Sequence, residues 1–242
     1  MKQINPIFSG IYWLTTLALL VIGVVMVFAY TPTEVTMGPV QKIFYLHMPI
    51  AICTFFSCMV VFIASVGYLW QRKAMWDHLA HAAAQVVVIY AAIVLLTGMI
   101  WGRAAWGAWW QWTPRLTFSL VLWLLYVVYL VIRPSIESSQ RRAMICAVYG
   151  VVAFLDVPLV YLSVRLMPDI HPTSIELEPA MRNTLLFWFI PVTMLTVGLI
   201  TASFRLAKRQ AACNVIRELP MPKSKTPRPL GTPLSSGNRG VV

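Results

Sequence analysis

The sequence predicts an all-α membrane protein, a bundle of six transmembrane helices with both termini in the cytoplasm. Three observations support this. Of 242 residues, 59% are hydrophobic and only 11% charged, with a mean hydropathy of +0.74, whereas soluble domains carry about a quarter charged residues. The apolar residues gather in six blocks of about 20, the helix length that crosses a bilayer. The basic residues crowd towards one side of those blocks, which is the cytoplasmic side by the positive-inside rule. Each block is expected to be helical, because lipid offers backbone groups no partner outside the segment.

The first span covers residues 11–30. A single basic residue, Lys2, precedes it and no small-residue cleavage site follows, so it reads as a retained span and not as a removed signal peptide. The second, 43–70, ends at the pair Arg72–Lys73, and the third covers 82–101. The fourth, 116–132, stops at Arg133, and the fifth, 143–166, follows Arg141–Arg142 and contains Asp156 and Pro158. The sixth covers 184–204. An even number of spans puts both termini on one side. Residues 1–204 thus form the membrane domain. Residues 205–242 are a basic, proline-rich tail, expected to be a disordered cytoplasmic extension that meets anionic lipid heads and not nucleic acid.

Four cysteines, Cys53, Cys58, Cys146 and Cys213, form no C-x-x-C pair and read as packing residues. His78 and His81 have a spacing that suits one helix face, but with only Asp77 nearby they read as a solvated helix end. Asp156 lies two residues before Pro158, which should free the carbonyl of Phe154. A protonated Asp156 is a donor able to repair that break.

The outward side is richer. Five of the ten tryptophans fall within residues 101–112, between two apolar runs, where a flat aromatic platform at the membrane boundary is expected. Trp13, Trp70, Trp76, Trp123 and Trp188 read as ordinary interfacial aromatics. His47, at the outer end of the second span, and His171, in the loop after the fifth, share the side of the tryptophan loop. Two such imidazoles suit the axial positions of a haem iron, and tryptophans suit its apolar faces. Arg103 and Arg115 flank the cluster and suit propionates, or equally the lipid phosphates of a helix end. A structural role for each histidine stays open on these grounds.

The stretch Trp106-Gly107-Ala108-Trp109-Trp110-Gln111-Trp112-Thr113-Pro114-Arg115-Leu116-Thr117 resembles the tryptophan-rich signature of the haem-handling proteins of cytochrome c maturation, whose short six-span members are the CcmC type. Lys42-Ile43-Phe44-Tyr45-Leu46-His47-Met48-Pro49 resembles the start of that family's second span, and Asp156-Val157-Pro158-Leu159-Val160-Tyr161-Leu162-Ser163-Val164 its fifth. His171 falls where the family has its second histidine, and Glu178-Pro179-Ala180-Met181-Arg182 also fits. The likeness runs from about residue 11 to 204.

It implies a protein that holds haem b non-covalently at the periplasmic face of the bacterial inner membrane. Such a protein presents haem to a periplasmic haem chaperone, beside an ABC-type ATPase and further membrane subunits, and is not itself an enzyme. It implies His47 and His171 as axial iron ligands, Trp106, Trp109, Trp110 and Trp112 as the platform, and Arg103 or Arg115 near the propionates. Three positions depart from the pattern. Thr113 stands where the family has Asp, Asp156 where it has Asn, and Leu166–Met167 where a tryptophan pair is common. Two other classes remain as alternatives: a permease-type subunit of an ABC haem or solute export complex, and an electron-carrying membrane cytochrome b.

Overall fold

The computed structural model describes residues 6–166 and 177–218. It is helical throughout, as predicted, and six of its segments are long and apolar enough to cross a membrane. Helix α1 spans Pro6–Val25 and continues through a π turn, Met26–Tyr30. A 3-10 turn, Pro39–Ile43, leads into α2, Phe44–Gln71. Helices α3, Ala74–Trp106, and α4, Pro114–Ile132, follow. The fifth span is made of two pieces, α5, Ser139–Ala153, and α6, Asp156–Leu166. The last, α7, runs Pro179–Glu218. Among the described residues the only β feature is an isolated bridge between Glu34 and Gly38.

The centre of the bundle is the α2–α3 hairpin. Its connection is only Arg72–Lys73, made possible because Arg72 takes a left-handed conformation, φ 56°, and donates its backbone N–H to Tyr68 O. Helix α5 packs on α2, α4 on α3, and α6 on α4, while α7 packs against both α2 and α3 and carries α1 on its other side. Small residues permit this closeness, as is usual where helices meet in lipid. Ala80, Ala83, Ala84 and Cys58 are buried where α2 and α3 meet. A Cβ on Gly150 of α5 would lie 2.5 Å from Ser65 Oγ of α2.

Several expectations change in three dimensions. The third span is longer than residues 82–101: α3 has 33 residues, about 50 Å of helix against about 30 Å of hydrocarbon. It therefore carries Trp101, Arg103 and Trp106 on its last turns, outside any loop. The final helix likewise continues past Phe204 to Glu218, so the first part of the basic tail is helical; residues 219–242 lie outside the described residues. The Phe154 carbonyl already has a backbone partner, since the N–H of Val157 donates to it at 3.1 Å. Asp156 instead opens α6, buried, with Oδ2 finding no hydrogen-bond partner among the described residues.

Trp188 is no belt residue. It is buried, donates Nε1–H to Gly23 O at 3.2 Å, and lies where a Cβ on Gly23 would approach within 3.0 Å, locking α7 to α1. Trp123 spans α4 to α3 by donating to Val88 O at 3.2 Å, and Trp76 packs into the gap left by Gly67. Only Trp70, and to a lesser degree Trp13, face outward as expected. Cys53, Cys58 and Cys146 are buried, as packing residues should be, while Cys213 is exposed.

Asp77 and Arg133 differ most from the solvated end expected there. They form a buried bidentate ion pair between the start of α3 and the end of α4, with Nη1–Oδ1 and Nη2–Oδ2 both 2.8 Å. The Tyr129 hydroxyl accepts a third bond from Arg133 Nη1 at 3.3 Å. His78 and His81 lie beside this pair, half-buried. Among the described residues no third ligand completes a metal site with them.

Candidate functional site: a histidine and a tryptophan corner at one end of the bundle

Because α2 and α3 are antiparallel and joined by two residues, the start of α2 and the end of α3 lie together at the opposite end of the hairpin. His47 occupies the first turn of α2. Two residues later Pro49 withholds an N–H from the Tyr45 carbonyl, so this turn leans on its neighbours more than an ordinary one. Those neighbours are on α3. His47 Nδ1 lies 2.8 Å from Thr97 Oγ1, and its Cε1 lies 3.4 Å from where a Cβ on Gly98 would be. Thr97 Oγ1 is within 2.7 Å of Ile93 O and 3.2 Å of Val94 O. Trp101 follows Thr97 by four residues, on the same face of α3.

The tryptophan segment then turns a corner. Gly107 ends α3 in the left-handed region, φ 76°, and donates its backbone N–H to Arg103 O at 3.1 Å. That conformation is open to glycine at little cost. The Arg103 side chain, otherwise exposed, folds back and donates to Gly107 O. Trp101 and Trp106 meet edge to face at 5.2 Å and 89°, and Gly102 gives Trp106 room to lie close. Trp109, Trp110 and Trp112 form the short loop, with Trp110 and Trp112 at 5.7 Å and 77°. Trp101 with Trp106 and Trp110 with Trp112 are thus near-perpendicular pairs, so these four rings do not share one plane. Trp109 and Trp112 are 57% and 76% exposed. Trp110 Nε1 is buried without a partner among the described residues.

Thr113 explains its own departure from the family pattern. It is the N-cap of α4, its hydroxyl accepting from the Leu116 N–H at 3.5 Å, with Pro114 in the first helical position. Asp and Thr are both favoured caps, so the exchange preserves the cap while removing a charge. Arg115 is half-buried in the first turn of α4. The structure therefore brings together His47, Trp106, Trp109, Trp110, Trp112, Thr113, Arg103 and Arg115 at one end. His171 lies outside the described residues.

Thr97 is the residue of this end that the sequence reading missed. It is one hydroxyl among many in apolar spans. A signal existed, since His47 and Thr97 lie nearly equally far from the Arg72–Lys73 turn, and a tight hairpin pairs such positions.

These features define a class: a six-span helical membrane protein that displays an anchored histidine and exposed tryptophans at one end of its bundle. The chain belongs to the CcmC, heme exporter protein C, family, whose model matches residues 2–220. It is similar to the heme exporter protein C of Bradyrhizobium diazoefficiens, 33% identical over 202 residues, covering 80% of this chain and 76% of that one. The heme exporter protein C of Escherichia coli K12 is 30% identical over 181 residues, 72% and 73% of the two chains. That of Haemophilus influenzae is 29% identical over 206 residues, 82% and 79%.

Proposed function

We propose that this protein handles haem for cytochrome c maturation, binding haem b non-covalently at the periplasmic face of the inner membrane and presenting it to a periplasmic haem chaperone. The observation that carries the reading is His47 held by α3 at the same end as the exposed Trp109 and Trp112. An imidazole anchored through one ring nitrogen is arranged as metal-binding histidines are, and exposed indoles offer apolar and edge contacts to a macrocycle. Trp110 Nε1, buried and without a partner among the described residues, is a donor that suits an acidic group of a bound ligand. Family membership supports the same cargo.

His47 and His171 serve as the axial ligands in this reading. Arg103 keeps further N–H donors for a propionate beyond the one given to Gly107, and Arg115 stands across the loop. The role is handling and not catalysis: the protein holds haem firmly enough to collect it and openly enough to release it. Both termini lie in the cytoplasm, where Arg205, Lys208 and Arg209 on the extended α7 meet anionic lipid. An ABC-type ATPase and further membrane subunits complete the assembly.

The test is the absorption spectrum of purified protein supplied with haem, beside His47→Ala and His171→Ala. A Soret band that weakens in both variants is expected. Unchanged haem content in both would refute the axial assignment.

A further inference from the structure

We infer that Thr97 is a positioning residue for His47, fixing the ring's orientation and tautomer so that Nε2 carries the lone pair offered to haem iron. The inference rests on the reading of His47 as an axial ligand, and concerns what prepares it for that task.

The geometry is local and specific. Thr97 Oγ1 has one proton and three neighbours: Ile93 O at 2.7 Å, Val94 O at 3.2 Å, and His47 Nδ1 at 2.8 Å. Back-bonding to a carbonyl in the preceding turn is the usual choice of a helical threonine, and here two carbonyls are in reach. With its proton directed there, Oγ1 is left as an acceptor, and the group facing it must be a donor. A neutral imidazole that donates from Nδ1 has its lone pair on Nε2. The opposite arrangement, Thr97 donating to Nδ1, would put the proton on Nε2 and close that nitrogen to a metal.

Gly98 completes the seat. The imidazole edge lies beside it, Cε1 being 3.4 Å from where a Cβ on Gly98 would be. The ring is thus held by a hydrogen bond to Thr97 and lies close to Gly98. Metal-bound histidines commonly donate their second ring N–H, and loss of that acceptor weakens metal affinity by about 10–100-fold.

Thr97→Val removes the hydroxyl at nearly constant shape, and Thr97→Ser restores it. Two readouts separate the claims. Nitrogen-15 NMR of histidine-labelled protein without haem, with His47 assigned by subtraction of His47→Ala, is expected to show the Nδ1–H tautomer in the parent and Thr97→Ser, and a shift towards Nε2–H in Thr97→Val. Haem titration is expected to show affinity about 10–100-fold weaker in Thr97→Val, with a rise in high-spin haem, and near-parent behaviour in Thr97→Ser. An Nε2–H tautomer in the parent, or a Thr97→Val protein matching it in both readouts, would overturn the inference while His47→Ala still loses haem. If His47→Ala keeps its haem spectrum unchanged, the ligand reading itself falls, and the role of Thr97 in haem binding falls with it.

Discussion

Replacing Asp77 by Ala leaves the Arg133 guanidinium buried against Tyr129 without its counter-charge. Both side chains of the pair are only 8% exposed, and they share two bonds of 2.8 Å. Breaking a buried, hydrogen-bonded pair from one side costs about 3–5 kcal/mol, because the remaining charge loses its partner without regaining water. For a chain of this size that corresponds to a fall in melting temperature of about 6–20 °C. Arg133→Met should cost a similar amount by stranding the carboxylate. The double variant Asp77→Leu/Arg133→Met should recover most of the loss, since an apolar pair of similar volume replaces an ion pair at little or no cost. The assay is thermal unfolding in detergent followed by tryptophan fluorescence, read as a double-mutant cycle. Single variants within about 1 kcal/mol of the parent, below the range set for a buried pair, or a double variant whose loss is the sum of the singles, would refute the argument.

Two further outcomes follow from the same structure. Thr113→Ala removes the α4 cap and should cost about 1 kcal/mol, whereas Thr113→Asp should melt with the parent; equal losses in both would show that the hydroxyl does not cap. Gly23→Leu places a side chain where Trp188 already sits at 3.0 Å from the Cβ position. It should destabilise the α1–α7 contact by about 1–3 kcal/mol, and protease protection of α1 equal to the parent's would count against that packing.

Membrane spans are legible in a sequence because their cause is local. Blocks of apolar residues must bury their own backbone bonds, and that requirement alone predicts six helical crossings. The tryptophan segment and His47 were legible for a related reason, since their residue types are rare enough to stand out and their order along the chain places them at one end. The N-cap at Thr113 was half legible: its place in the tryptophan motif stood out, but its duty to α4 needed the turn to be drawn.

What the chain alone left open depends on neighbours distant in sequence. Asp77 and Arg133 are 56 positions apart, and each by itself looks like a solvated charge. Only the packing of α3 on α4 removes water and makes them a pair. Trp188 looks like a belt residue until Gly23 is placed beneath it. The tryptophan rings look like a platform until Trp101 meets Trp106, and Trp110 meets Trp112, edge to face. Thr97 carries no sign of its role until the hairpin register brings it to His47. Composition and periodicity determined that this protein crosses the membrane six times and where its aromatic end lies. The tertiary structure decided which polar groups meet there, because in lipid a hydrogen bond needs two partners and the sequence names only one at a time.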